Sequence, residues 1–303
     1  MLHDPEAADR MYAHAFAANC NDARLFYEWD QLRKRVGKVS PQERLRTLET
    51  NRELVDCRDD LTVEFITLLN QCGHWHEALQ QLSARRFSPW EGGEGMVSTQ
   101  YVHAHRELGK ADLIQARPGE ALKHFEAARN YPHNLGEGKH LLTLERDLDY
   151  LSGLAAQQLG DNRLAQSYWN AAAAPLAALG VHSWFQALAL KAMGNQQAAD
   201  EVLSSLAEFA ERQKETEPKI DYFATSLPNL LLFDDDLCRR NGIESQLLSA
   251  LASHGLGDEA RALRELKQVV AQDPNHLFAA QTLQWLKQGC EVALPEAEGS
   301  RAL

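Results

Sequence analysis

The residues best equipped for chemistry gather in two glycine-bearing stretches, RRFSPWEGGEG at 85–95 and ARNYPHNLGEGK at 128–139. Laid on each other, Arg86 meets Arg129, Pro89 meets Pro132, and Gly93-Glu94-Gly95 meets Gly136-Glu137-Gly138. A phosphate-cradling loop needs Gly-x-x-x-x-Gly-Lys followed by Ser or Thr, after a strand. Around Lys139 its first glycine falls on His133 and its hydroxyl position on His140, and the first stretch has no lysine. That chemistry is not expected. As structural joints, the glycines let the chain turn where a Cβ would clash, with Gly93 and Gly136 expected at positive φ. Arg86 and Arg129 would then pair with Glu94 and Glu137, or cap the preceding helix. As joints that also line a groove, they would make contact through Arg86, Trp90, Glu91, Glu94, Asn134, Glu137, Lys139 and His140, because loops on rigid scaffolds carry function.

Other clusters are weaker. His74 and His76 follow Cys72 at a turn, and His103 and His105 are two apart. Metal ligands on one helix want i and i+4 spacing, whereas residues two apart diverge. Asp234-Asp235-Asp236 lacks the alternating ligands and glycine of a calcium loop and reads as a solvated helix start. No nucleophile motif of the Gly-x-Ser-x-Gly or Cys–His kind occurs. We therefore expect no catalytic residue, no metal site and no cofactor in this chain.

The elements that must position these stretches are helices in pairs. Gly73, Gly160, Gly194 and Gly257 are each followed five residues later by Ala78, Ala165, Ala199 and Ala262, and four beyond that by a large apolar residue. Glycine closes a turn between two helices, and alanine sits where they come closest. The large residue lies on the same helical face and fills the gap to the next pair. Gly160 to Gly194 spans 34 residues. YLSGLAAQQLGDNRLAQSYWNAAA at 150–173 carries the whole pattern, and HRELG at 105–109 followed by Ala121, Phe125 and Ala128 fits it too. This grammar resembles the tetratricopeptide repeat. It implies an all-α, right-handed superhelical solenoid of helix pairs with inserted loops. We expect one array over residues 1–290, a non-repeat insert at about 210–243 around KIDYFATSLPNLLLFDDDL, a closing helix at 277–289, and a frayed tail at 291–303.

Composition narrows the function classes. A net charge of −12 without a basic block argues against nucleic-acid binding and anionic membrane surfaces. No run of 18 apolar residues suggests a membrane span, and the N-terminus has no secretory pattern. Five scattered cysteines without C-x-x-C fit free thiols and a cytoplasmic location. Taken together, SARRFSPWEGGEG, YPHNLGEGK and KIDYFATSLPNLLLFDDDL resemble the C-terminal repeat region of large bacterial proteins whose N-terminal domain is mutarotase-like and of unknown function. That resemblance implies a non-catalytic binding scaffold for a protein or peptide partner, or for a cognate β-sandwich domain. An alternative implication is the accessory region of a carbohydrate-active enzyme.

Overall fold

The computed structural model describes residues 4–90, 92–218 and 236–288. The described chain is all-α. Its helices are α1 (Pro5–Ala18), α2 (Ala23–Val36), α3 (Pro41–Thr50), α4 (Arg52–Asp56), α5 (Asp59–Gln71), α6 (Trp75–Ser83), α7 (Met96–Ile114), α8 (Pro118–Arg129), α9 (Arg146–Gln158), α10 (Asn162–Ala173), α11 (Val181–Ala192), α12 (Gln196–Glu215), α13 (Leu237–Gly255), α14 (Glu259–Gln272) and α15 (Leu277–Lys287). Local chemistry sets many starts. Proline stands at the head of α1, α3 and α8, where its missing N–H costs nothing. Asp4, Asp22, Ser40, Asp161, Asp236 and Asp258 accept backbone N–H bonds as N-caps.

From α5 to α14 each helix packs on the next, and α5, α7, α9, α11 and α13 also touch in succession. Burial separates two rows. The outer helices bury one stripe each: Ala78 and Leu82 in α6, Ala121, Phe125 and Ala128 in α8, Ala165, Trp169 and Ala172 in α10. The inner helices α7, α9 and α13 are buried around much of their circumference, charged residues included.

Five turns between inner and outer helices share one hydrogen-bond signature. A backbone N–H reaches the carbonyl five residues back: His74 to Leu69, Arg117 to Asp112, Asp161 to Ala156, Asn195 to Leu190, and Asp258 to Ser253, all at 2.8–3.0 Å. This is the six-to-one bond of a Schellman end, which requires a left-handed residue just before the donor. Gly73, Gly160, Gly194 and Gly257 supply it; in the fifth turn Ala116 does so at φ 53°. The sequence pattern marks this pair through Ala121, Phe125 and Ala128, with alanine where the other four turns have glycine.

Seven residues before each turn stands a size-selected position, and sixteen residues after that stands its counterpart on the outer helix. The pairs are Ile66/Leu82, Gly109/Phe125, Gly153/Trp169, Ala187/Leu203 and Ala250/Leu266. Glycine faces the two aromatics. A Cβ on Gly109 would lie 2.3 Å from Phe125, and one on Gly153 would lie 2.2 Å from Trp169 Nε1. At the same spacing alanine stands with leucine in Ala187/Leu203 and Ala250/Leu266, whereas Ile66/Leu82 joins two large residues.

Helices α2, α3 and α5 meet the turn between α14 and α15. Arg44, fully buried, donates to both Asp30 oxygens at 3.0 and 2.6 Å and to Glu64 at 2.6 Å. Its remaining nitrogen donates to Asn275 Oδ1 at 2.9 Å, between α14 and α15. Asn275 in turn donates to the Lys34 carbonyl at 3.0 Å, and its own carbonyl accepts from Gln71 at 2.9 Å. Lys34 completes the cluster on Glu64 at 2.8 Å. Burial alone would raise the Glu64 pKa, but Lys34 and Arg44 bring it down to about 2. Most of the KIDYFATSLPNLLLFDDDL segment lies outside the described residues; its described borders, to Glu215 and from Leu237, are helical.

Candidate functional site

The two glycine stretches form one joint, the second docked on the first. Phe87 N–H donates to the Asn134 carbonyl at 2.8 Å. The Asn134 amide donates to the Leu82 and Arg85 carbonyls at 2.7 and 2.9 Å, closing the C-terminal end of α6. The Glu137 carboxylate accepts from Gly95 N–H at 2.7 Å and Ser98 N–H at 2.9 Å, capping α7 where anions are favoured. Gly136 has φ 79°, as expected, and a Cβ there would lie 2.5 Å from the Phe87 carbonyl oxygen. Gly93 does not have the positive φ expected of it; Gly92 and Gly95 do. Gly93 is needed for space, because the Trp90 ring lies 2.0 Å from where its Cβ would be.

The eight candidate contact residues are thus dispersed. Asn134 and Glu137 are half-buried and committed to backbone groups inside the chain. Trp90 is half-buried and lines a shallow recess of about 410 Å³ with Arg58, Asp59 and Arg85. Arg86 and Glu94 are exposed. Lys139 pairs with Glu145 at 3.0 Å, and His140 Nδ1 accepts from Leu142 N–H at 3.1 Å. Glu91 lies outside the described residues. The pairing expected of Arg129 with Glu137 is replaced by Asp149 at 2.9 Å and Glu145 at 3.5 Å.

A denser constellation lies elsewhere, where α7, α9 and α11 of the inner row meet α15. Lys110 donates to Glu107 at 2.8 Å, and Arg106 donates to Glu107 at 3.2 Å and to Asp147 at 2.9 Å. Burial alone would raise the Glu107 pKa, but the two cations hold it at about 2. Burial lowers the Lys110 pKa, with Glu107 acting in the opposite sense. His103 is pushed down to about 3, first by burial and then by the Arg106 charge. Arg106 Nη2 donates to His103 Nδ1 at 3.0 Å, which fixes the neutral Nε2–H tautomer. That Nε2–H faces the side-chain amide of Gln281 on α15.

Aromatic rings surround these charges. The Lys110 ammonium sits 4.8 Å from the Trp285 ring centroid, and the Arg106 guanidinium 5.9 Å from Phe278. Trp184 meets Trp285 edge-on at 6.3 Å, and Phe185 meets Phe278 likewise. Only about 10 Å³ of free space remains between the two surfaces, roughly one water. The carboxylates and imidazole have the types needed for acid–base work, but no substrate can enter, and each carboxylate is already paired.

Spacing alone does not mark this site, because Arg106 and Glu107 fall within HRELG, which simply fits the helix-pair pattern. One signal was available: α7 is polar at His103, Arg106, Glu107 and Lys110 yet belongs to the row expected to be covered. His105 and His124 form a separate pair, Nδ1 to Nδ1 at 2.9 Å, between α7 and α8. Among the described residues no group of three or more His, Cys, Asp and Glu side chains is placed to hold a metal ion. Cys20, Cys57, Cys72 and Cys238 are free thiols. No described helix is long and apolar enough to cross a membrane. No protein-family model matches this sequence.

Proposed function

We propose that this chain is a non-catalytic binding scaffold, a right-handed solenoid of tetratricopeptide-like helix pairs. Its inner row holds a protein partner or a cognate β-sandwich domain. Two regularities support the repeat reading: the turn bond recurs five times, and in four of the five pairs a small residue stands with a large one. The observation that carries the binding reading is that α7, α9 and α11 already grip a helix, α15, through aromatic rings and paired charges. Aromatic and arginine side chains with buried, satisfied charges are the composition of recognition surfaces. The absence of an enterable cavity there argues against turnover.

The test is crosslinking of the full-length chain in an extract of its source, with crosslinked residues mapped by mass spectrometry. Crosslinks from one recurrent partner to α7, α9, α11 or α15 are expected. A recurrent partner mapped only to the outer helices, or none in repeated purifications, would overturn the reading.

A further inference from the structure

We infer that α15 is a displaceable occupant of the inner row, and that the partner this face fits is an amphipathic helix presenting Phe, Gln and Trp with the spacing of Phe278, Gln281 and Trp285. This rests on the scaffold reading above and names its partner class and its competitor.

Three observations point the same way. First, the joint differs in kind from the rest of the core. Within the array the seams are apolar, built from alanine and leucine together with Phe125 and Trp169, and Ala121, Phe125, Ala165, Leu203, Leu206 and Leu266 are all 0% exposed. Under α15 the seam is made of rings, charges and one amide, and Trp285 and Leu286 keep 8% exposure. Second, its packing is incomplete. A void of about 10 Å³ remains, and one of the two polar atoms of the Gln281 amide has no partner. Groups left half-satisfied in a dry joint weaken it relative to an apolar seam. Third, the contact side chains of α15 fall at i, i+3 and i+7, a single helical face, and their partners come from three different helices. This is the geometry of a helix laid in a groove and read by a few anchors.

A tethered occupant sets the apparent affinity for any competitor, because the incoming helix binds only the fraction of molecules whose α15 is out. Weakening α15 should therefore tighten binding in trans. The probe is a fluorescein-labelled peptide of residues 274–288, PNHLFAAQTLQWLKQ. It is titrated by anisotropy into the full-length wild type and into full-length F278A/W285A. We expect at least tenfold tighter binding to the variant. Adding W184A on the receptor face should lose that gain, and a peptide with both anchors changed to alanine should not bind. Equal affinity for wild type and F278A/W285A, with the variant folded by circular dichroism, would overturn the inference.

Hydrogen exchange on the wild type provides an independent arm should the variant not fold. The α15 amides are expected to exchange at least tenfold faster than those of α9 and α11. Exchange of α15 only at the rate of the whole array would overturn displacement. Light scattering separates a second copy from a foreign partner: a dimer exchanging α15 would reassign the occupant and overturn the partner class. If the peptide fails while crosslinks to the inner row persist, only this inference falls; if both fail, the scaffold reading falls with it.

Discussion

Gly153→Ala is the sharpest probe of the packing rule. A methyl at this position would lie 2.2 Å from Trp169 Nε1 and 2.3 Å from Cδ1, against an ordinary contact of 3.4–4 Å. One partner must move by about an ångström. The indole is 5% exposed, so it cannot swing into solvent without vacating the core. Overpacking of this kind costs about 1–3 kcal/mol. Replacing a mid-helix glycine by alanine returns about 0.5–1 kcal/mol, since the unfolded chain has less freedom to lose. The difference spans about 0–2.5 kcal/mol, and a clash as close as 2.2 Å against a buried ring places G153A in its upper part, a destabilisation of about 1–2 kcal/mol. The decisive variant is G153A/W169L, which recreates the alanine–leucine pairing of Ala187/Leu203 and Ala250/Leu266. Trp169 also has a buried N–H without an acceptor, so leucine removes an unpaired donor along with the ring. W169L alone leaves a void opposite glycine, and the added methyl partly fills it. The double variant should be more stable than the sum of the singles predicts by at least about 1 kcal/mol, within the usual range for contacting residues. Urea unfolding followed by far-ultraviolet circular dichroism measures all four proteins. Additive effects, or a neutral or stabilising G153A, would refute size matching as the reason glycine stands there.

Other perturbations follow from the same packing. Ala116→Gly should stabilise by about 0.5–1 kcal/mol, because alanine at φ 53° is strained where glycine is not; the urea midpoint reads this directly. Glu137→Ala should cost about 1–2 kcal/mol by uncapping α7 at Gly95 and Ser98, again read from the urea midpoint. Arg44→Met should cost about 3–5 kcal/mol, because it leaves Asp30 buried without its partner and Glu64 with Lys34 alone, as a calorimetric melt would show. Thermal stability should fall with acidity in a defined window. His103 has a folded pKa of about 3 against an ordinary 6.5, so between those values the unfolded chain takes up a proton that the folded chain refuses. The histidine contribution is therefore fully present above pH 6.5 and is lost as pH falls toward 3; His103→Gln should flatten the melting-temperature profile over pH 6.5–5.

The helical pattern was legible because it is made of local rules. Gly160, Ala165 and Trp169 announce a turn, a close approach and a gap-filling ring within ten residues, and each does what its size and backbone freedom require. The turn at Ala116 lacks the glycine of the other four, and tertiary packing holds an alanine there in a conformation the residue itself disfavours. Asn134 and Glu137 were legible as polar loop residues but not as caps. Their targets, Leu82, Arg85, Gly95 and Ser98, are about 40 to 50 residues away, and a single sequence carries no record of which loop lies on which. By spacing alone, the charges at Arg106, Glu107 and Lys110 carried no signal, for a related reason. Spacing shows that they share one helix, whereas the return of α15 that buries them depends on the path of the whole array.

That return also changes how the array should unfold. In an open row each unit leans only on its neighbours, so stability is a sum of local terms and the ends fray first. Here Asn275 reaches Arg44 and Lys34, and Gln281 reaches His103, contacts joining residues from opposite halves of the sequence. Fraying from either end must first break these bonds, which couples α2, α3 and α5 to the α14–α15 turn. Gly153→Ala and Arg44→Met should consequently differ in kind as well as in size. The first strains one seam and should shift the urea midpoint at constant slope. The second opens the junction and should lower the slope, because end units can then melt separately from the centre. A slope unchanged by Arg44→Met would mean that the neighbour-to-neighbour seams alone make the transition cooperative, and that the buried cluster fixes the ends in place without coupling them.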